Sequence, residues 1–223
     1  MIDQRNEKPT DSKQKAILFD LDGVIVDSEM VYLRRLEVFL ETINGKFTEE
    51  ELFSLVGNNH LEVWNKISRW TQHKYSFDEF DRMYDDFYKD DLFNYSKIKN
   101  KGIRRLIDFA KSKNYKVGLA SCSSISVIED ALNQCGIYDC FDEIISGFDI
   151  KNSKPSPEIY QLMAKRLNVK LENCLVIEDS NVGIEAGKNA GMKVIALREE
   201  RFGFSQDEAD LIVDGLLEIK QYL

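Results

Sequence analysis

The stretch Ala16-Ile17-Leu18-Phe19-Asp20-Leu21-Asp22-Gly23-Val24-Ile25-Val26-Asp27-Ser28 decides how the rest of the chain is read. Four apolar residues run together and stop at two carboxylates, Asp20 and Asp22, followed by Gly23. A run that short, closed by a glycine, predicts a buried strand that delivers acids to its C-terminal end. In an open parallel sheet, ligands bind at the C-terminal ends of the strands. Paired acids there can hold a divalent cation, act as a nucleophile or carry a proton.

The chain has 223 residues, enough for a real core and a smaller companion unit. Its 30 basic against 39 acidic side chains leave a formal charge of −9, which speaks against general affinity for nucleic acid or an anionic membrane. An anionic substrate would therefore need positive charge supplied within the site itself. No apolar stretch approaches the roughly 20 residues of a membrane span. Met1 to Lys15 is polar and charged and lacks the apolar centre of a secretory signal, so residues 1–13 read as a loose tail and a cytoplasmic location is expected. Cys122, Cys135, Cys140 and Cys174 form no C-x-x-C pair, and with only His60 and His73 no zinc spacing arises. Free thiols in a reducing compartment are the expectation. Cys122 lies beside a candidate site residue, Ser121, but no base near it in sequence would activate it.

Working outward from the first strand, Met30, Leu33, Leu36, Leu40 and Ile43 recur at helical spacing and predict a helix over 29–43, ended by Gly45. Thr48-Glu49-Glu50-Glu51 has the form of a capping box, and further helices are expected over 60–71 and 77–92, the latter opened by Ser76 with Glu79. The next convincing strand is Lys116-Val117-Gly118-Leu119-Ala120, about 90 residues after the first. A whole βαβ unit needs only about 30. The excess predicts a helical domain over residues 29–95, inserted into a core formed by 14–28 and 96–223. Its Trp64, Trp70, Phe77, Phe80, Tyr84 and Phe87 are expected to form its own core rather than a ligand box.

From residue 100 strands and helices alternate. A helix carrying Ile103, Leu106, Ile107 and Ala110 precedes strand two, which ends at Ser121. A helix over 124–135 stops at Gly136, strand three is Glu143–Ser146, and Ser156-Pro157 opens another helix with proline at its first position. Strand four, Cys174-Leu175-Val176-Ile177, runs into Glu178-Asp179, and Gly183, Gly187 and Ala190 let the following helix lie close to the sheet. Strands at 193–197 and 211–213 and a terminal helix complete the pattern, which is that of an α/β, doubly wound parallel sheet.

The strand ends then carry Asp20 and Asp22, Ser121, and Glu178 and Asp179, while the loop after strand three adds Lys154. Four carboxylates, one lysine and one hydroxyl converging on a crevice describe a magnesium site that handles phosphate. A divalent cation and Lys154 are needed because bare carboxylates repel a phosphate dianion. Each residue alone has a duller reading: Ser121 a turn residue, Lys154 a solvated lysine, Glu178-Asp179 acids favouring the next helix's N-terminus. Their joint placement at successive strand ends is what the dull readings do not explain. An EF-hand loop would want glycine at its sixth position, where Ile25 stands, and would follow a helix.

Asp20-Leu21-Asp22-Gly23-Val24, Leu119-Ala120-Ser121, Ser153-Lys154-Pro155 and Ile177-Glu178-Asp179-Ser180 together resemble the four motifs of the haloacid-dehalogenase superfamily. The pattern is similar to its β-phosphoglucomutase and phosphoglycolate-phosphatase-like branch, which has a helical cap after the first motif. The resemblance implies strand order 5-4-1-2-3. It implies Asp20 as the nucleophile that forms an aspartyl phosphate, and Asp22 as the acid for the leaving group and the base for water. It further implies one Mg²⁺ held by Asp20, the Asp22 backbone carbonyl and Asp179 with Glu178 as ligand or support, and phosphate oxygens held by Ser121 and Lys154. Dehalogenases of the family lack the second aspartate, so Asp22 favours phosphoryl transfer.

Mutases of that branch carry a histidine about ten residues after the second aspartate, and here that position is Tyr32. Their cap arginine falls near Asn59-His60 and their cap lysine near Tyr84. The expectation is therefore a phosphatase acting on a small phosphorylated metabolite such as a sugar phosphate, with a β-phosphoglucomutase-like activity as the alternative. A phospho-receiver module also combines an acid pocket with a lysine, but it lacks a cap and an Asp22-like acid. Asn58, Asn59 and His60 are candidates for substrate contact from the cap, against the alternative of a polar surface turn. A monomer is expected.

Overall fold

The computed structural model describes residues 13–56, 58, 60–91 and 93–223. Strands β1 (Lys15–Phe19), β2 (Tyr115–Ser121), β3 (Glu143–Ser146), β4 (Cys174–Glu178), β5 (Lys193–Leu197) and β6 (Leu211–Val213) form one sheet in the order β3-β2-β1-β4-β5-β6. Every pairing is parallel. The expected order is present, with β6 added outside β5. β1 lies between β2 and β4, with Phe19 in register with Leu119 and Ile177, and Ala16 through Phe19 are fully buried. That is why β1 reads as a continuous apolar run: helices cover both of its faces.

On one face Ile17 and Phe19 pack with α5 (Ile103–Ser112) and α6 (Ile125–Gln134); on the other, Ala16 and Leu18 pack with α7 (Glu158–Leu167) and α8 (Asn181–Asn189). Alternate side chains of one strand thus feed two cores. Truncating Leu18 to alanine would cost about 2–5 kcal/mol.

Between β1 and β2 come α1 (Glu29–Thr42), α2 (Glu49–Phe53), α3 (His60–Trp70) and α4 (Phe77–Tyr88) around a third apolar cluster that includes Leu33, Phe39, Leu40, Leu55, Trp70 and Phe80. Both expected capping boxes form: Thr48 with Glu51 and Ser76 with Glu79. α4 ends at Tyr88 rather than 92. Asp90 and Asp91 follow, and negative charge opposes the dipole at a helix C-terminus. Pro157 lies at the N-cap of α7, one residue earlier than expected, and Ser156 Oγ accepts from Glu158 N at 3.4 Å. The expected terminal helix is a 3-10 helix over Leu216–Tyr222, whose threefold repeat buries Leu216 and Ile219 on one side. No helix among the described residues is long and apolar enough to cross a membrane.

Candidate active site

β1 ends where two neighbours hold its chain on course. Asp20 N donates to Ile177 O at 3.1 Å, carrying the ladder one residue beyond the strand and bringing the Asp20 side chain beside the end of β4. The chain then turns back at once: Gly23 N donates to Val26 O at 2.7 Å, and Asn100 Nδ2 donates to the carbonyls of Gly23 and Val24 at 2.8 and 2.9 Å. Gly23 has φ +75°, and a Cβ there would stand 1.8 Å from Asp179 Oδ2. Glycine is required twice over, by its backbone and by the carboxylate beside it.

Lys154 Nζ is the hub. It donates to Asp20 Oδ1 and to Glu178 Oε1, each at 2.6 Å, and to Ala120 O at 3.2 Å. Tyr160 OH donates to the same Glu178 oxygen at 2.7 Å, while Glu178 Oε2 accepts from Asp179 N and Ser180 Oγ, each at 3.2 Å. Burial works against the lysine's charge, but Asp20 and Glu178 hold its pKa well above the usual value. Glu178 needs room, and Gly183 supplies it: a Cβ on Gly183 would lie 2.0 Å from the Glu178 carboxylate. The glycine that the sequence assigns to helix–sheet packing thus serves the site.

One carboxylate oxygen from each of Asp20, Glu178 and Asp179 lies within 4.8 Å of the others, and all three residues are buried. Burial pushes Asp20 up to about 8, with Lys154 pulling it down. Asp179 is driven well above the carboxylate range by burial and by the charges of Glu178 and Asp20, and it pairs with no cation among the described residues. A site with three buried carboxylates and one lysine is short of positive charge.

Asp22 is held differently. Ser28 Oγ donates to Oδ1 at 2.5 Å and Ser123 Oγ to Oδ2 at 3.0 Å. Burial raises its pKa, and the two hydroxyls partly offset that. Ser121 is buried at the end of β2, and its Oγ accepts from Ser123 N at 3.0 Å. Cys122 is no thiolate: burial pushes its pKa up.

The sequence reading missed Ser28, Ser123 and Tyr160. The run Ser121-Cys122-Ser123-Ser124 was a signal that more than one hydroxyl faces the crevice. Tyr160 had only a faint one, a phenol beside Ile159 on a buried helix face, where its O–H must find a partner. In the helical insertion, Asn58 Nδ2 donates to Ser54 O at 2.6 Å, so its amide closes the end of α2. Asn59 and the His60 side chain lie outside the described residues. The insertion's aromatics are not all core. Trp70 and Phe80 are buried, but Phe77 and Phe87 are about half exposed, and Trp64, Phe77, Phe80 and Tyr84 line a cavity.

Residues 17–197 match the haloacid dehalogenase-like hydrolase family. The chain belongs to this family. A phosphorylated-carbohydrates phosphatase from Thermotoga maritima is 32% identical over 182 residues, which cover 81% of this chain and 83% of that protein. The pyrophosphatase PpaX of Listeria monocytogenes is 29% identical over 181 residues, 80% of each chain. Among solved structures, β-phosphoglucomutase from Clostridium difficile superposes with a TM-score of 0.77 at 32% identity, over 94% of this hydrolase and 95% of that chain.

Proposed function

We propose that this hydrolase is a Mg²⁺-dependent phosphatase that cleaves a small phosphomonoester through an aspartyl phosphate on Asp20. The observation that carries the proposal is the buried Asp20–Lys154–Glu178 chain beside Asp179, a carboxylate with no cation partner among the described residues. Hard oxygen donors around an uncompensated acid fit Mg²⁺, and the missing Cβ at Gly23 leaves room for the Asp179 carboxylate among them. Asp20, Asp179 and the Asp22 backbone carbonyl would hold the ion. Glu178, already engaged by four protein donors, would support Lys154 and the ligands. When bound, the ion offsets the negative charge that would otherwise repel the phosphate.

In the reaction, an Asp20 oxygen attacks phosphorus, the bond to the leaving oxygen breaks, and Asp22 gives that oxygen its proton. Water then attacks phosphorus, Asp22 takes a proton from the water, the bond from phosphorus to the Asp20 oxygen breaks to restore the carboxylate, and inorganic phosphate leaves. Lys154 and the Ser121 hydroxyl would hold phosphate oxygens as charge redistributes. Ser28 and Ser123 orient Asp22 for both proton transfers. Residues 14–28 and 96–223 act as the catalytic unit and 29–95 as a cap that excludes water.

Release of phosphate is expected to stop with EDTA and to fall by more than about three orders of magnitude in Asp20→Asn. Release that survives Asp20→Asn would rule the mechanism out. The identity to β-phosphoglucomutase favours a second reading, transfer back to a sugar. That reading requires glucose 6-phosphate to form from β-glucose 1-phosphate with a bisphosphate primer; free phosphate alone would dispose of it.

A further inference from the structure

The chemistry above uses the crevice at the strand ends, and the helical insertion holds a separate cavity of about 390 Å³. It begins beside the catalytic acid. Ser28, which bonds Asp22, is followed by Glu29, and Glu29, Tyr32, Leu33 and Leu36 climb one face of α1 as the cavity wall. Seven residues at a helical rise carry that wall about 10 Å along α1 from Glu29 to Leu36. Tyr32 marks the junction: its hydroxyl meets that of Tyr95, at 3.2 Å, where the insertion returns to the core.

The remaining lining is apolar and aromatic, with Leu55 and Val56 after α2, Trp64 and Ile67 on α3, and Phe80 and Tyr84 on α4. Its polar groups are two carboxylates, Glu29 and Asp81, two phenols and the Asn58 amide. Among the described residues that line it there is no lysine, arginine or histidine. The size is within the range of small-molecule sites, and so is the pattern of an apolar wall with a few polar groups.

We propose that the cavity receives the leaving group of the substrate, and that the substrate is the phosphomonoester of an aromatic or extended apolar alcohol with no second anionic group. The proposal rests on the phosphatase reading and narrows its substrate class. A second phosphate or a carboxylate buried here would face Glu29 and Asp81, with no cationic side chain among the described lining residues to offset it. A bare hexose would leave several hydroxyls unpaired against Leu36, Val56 and Ile67. Burial holds Tyr84 up at about 12, so its phenol keeps its proton and can donate to a polar atom on the leaving group, while the Tyr32 hydroxyl is paired with that of Tyr95. Both positions are those where the resemblance places a mutase's cap histidine and lysine.

The test compares kcat/KM for phosphate release from 1-naphthyl phosphate, glucose 6-phosphate and fructose 1,6-bisphosphate. The naphthyl ester is expected to exceed the hexose ester by about tenfold or more, with the bisphosphate lowest. Tyr84→Lys, checked for folding by circular dichroism, is expected to shift the ratio toward the bisphosphate by about tenfold. Equal values, or a preference for the bisphosphate in the wild type, overturn the assignment of the cavity and leave the phosphatase reading intact. If no ester releases phosphate, the phosphatase reading fails, and calorimetric titration of Asp20→Asn with 1-naphthyl phosphate and glucose 6-phosphate decides the cavity alone. Tighter binding of the naphthyl ester supports it, and equal binding overturns it.

Discussion

Gly23 carries more of the site than its size suggests. Its positive φ lets the chain double back directly after Asp22, and its missing side chain is what allows the Asp179 carboxylate to stand beside Asp20. Gly23→Ala is expected to displace Asp179 and to weaken Mg²⁺ binding by at least about tenfold, with a stability loss of about 1–2 kcal/mol from the strained backbone. Calorimetric titration with Mg²⁺ and a denaturant curve check the two effects separately; unchanged Mg²⁺ affinity would refute the role given to the glycine. Asp20, Asp22, Ser121, Glu178 and Asp179 were legible as candidates because each stands at, or just beyond, the end of a strand, and Lys154 was legible from the loop that follows β3. Ser28 and Ser123 were not, since nothing in their neighbours says that two hydroxyls from segments about 100 residues apart close on one carboxylate.

At the scale of elements, α8 shows local and distant demands meeting in one helix. Ser180 caps it by accepting from Gly183 N at 3.1 Å, and the same hydroxyl donates to Glu178. Its other end is tied to the sheet: Lys188 Nζ donates to Asp210 Oδ1 at 2.5 Å, and Val194 N donates to Asp210 Oδ2 at 2.8 Å. Partial burial works to raise the Asp210 pKa, but Lys188 and the Val194 N–H outweigh it and set the pKa below 3.8. A lowered carboxylate pKa stabilises the fold above the unfolded value and loses that contribution as pH falls through the folded one. Asp210→Asn is therefore expected to cost about 0.5–1 kcal/mol near neutrality, discounted because the pair is about one-third exposed, with the difference shrinking in acid. Denaturant midpoints of the two proteins at neutral pH and at about pH 3 measure this; a constant gap would count against the pairing. Capping boxes, strand runs and glycine stops were readable because their signals span only a few residues. The early end of α4 and the 3-10 geometry of the last helix were weaker signals, decided by charge at a terminus and by packing.

Across the whole molecule, the loop after β5 reaches over to the insertion. Arg201 Nη2 donates to Asp27 Oδ1 at 2.7 Å, at the exit from the first motif into α1, and also pairs with Glu199. The next residue, Phe202, meets Phe53 edge-on with ring centroids 5.9 Å apart. One loop of the core thus grips both the hinge and the body of the helical insertion. The Arg201–Asp27 pair is about 40% exposed on each side, so its loss should cost less than about 1 kcal/mol of global stability. Its effect is expected in local motion instead: Arg201→Ala should speed amide exchange at residues 27–33 severalfold while the melting temperature moves little. Exchange that is unchanged there would show that the strap does not restrain the hinge.

The sequence by itself determined the parallel sheet, the inserted helices and the acids with Lys154, while the strand order came from the family resemblance. These follow from apolar runs, helical periods and stop signals that neighbours in the chain enforce on one another, together with motifs in a fixed order. Only the tertiary structure decided what surrounds those groups. It set Tyr160 and Gly183 around Glu178, turned Ser28 and Ser123 onto Asp22, and opened part of the insertion's aromatic cluster onto a cavity. The physical reason is that a helix period says which residues share a face, whereas what that face meets depends on how distant elements pack against it.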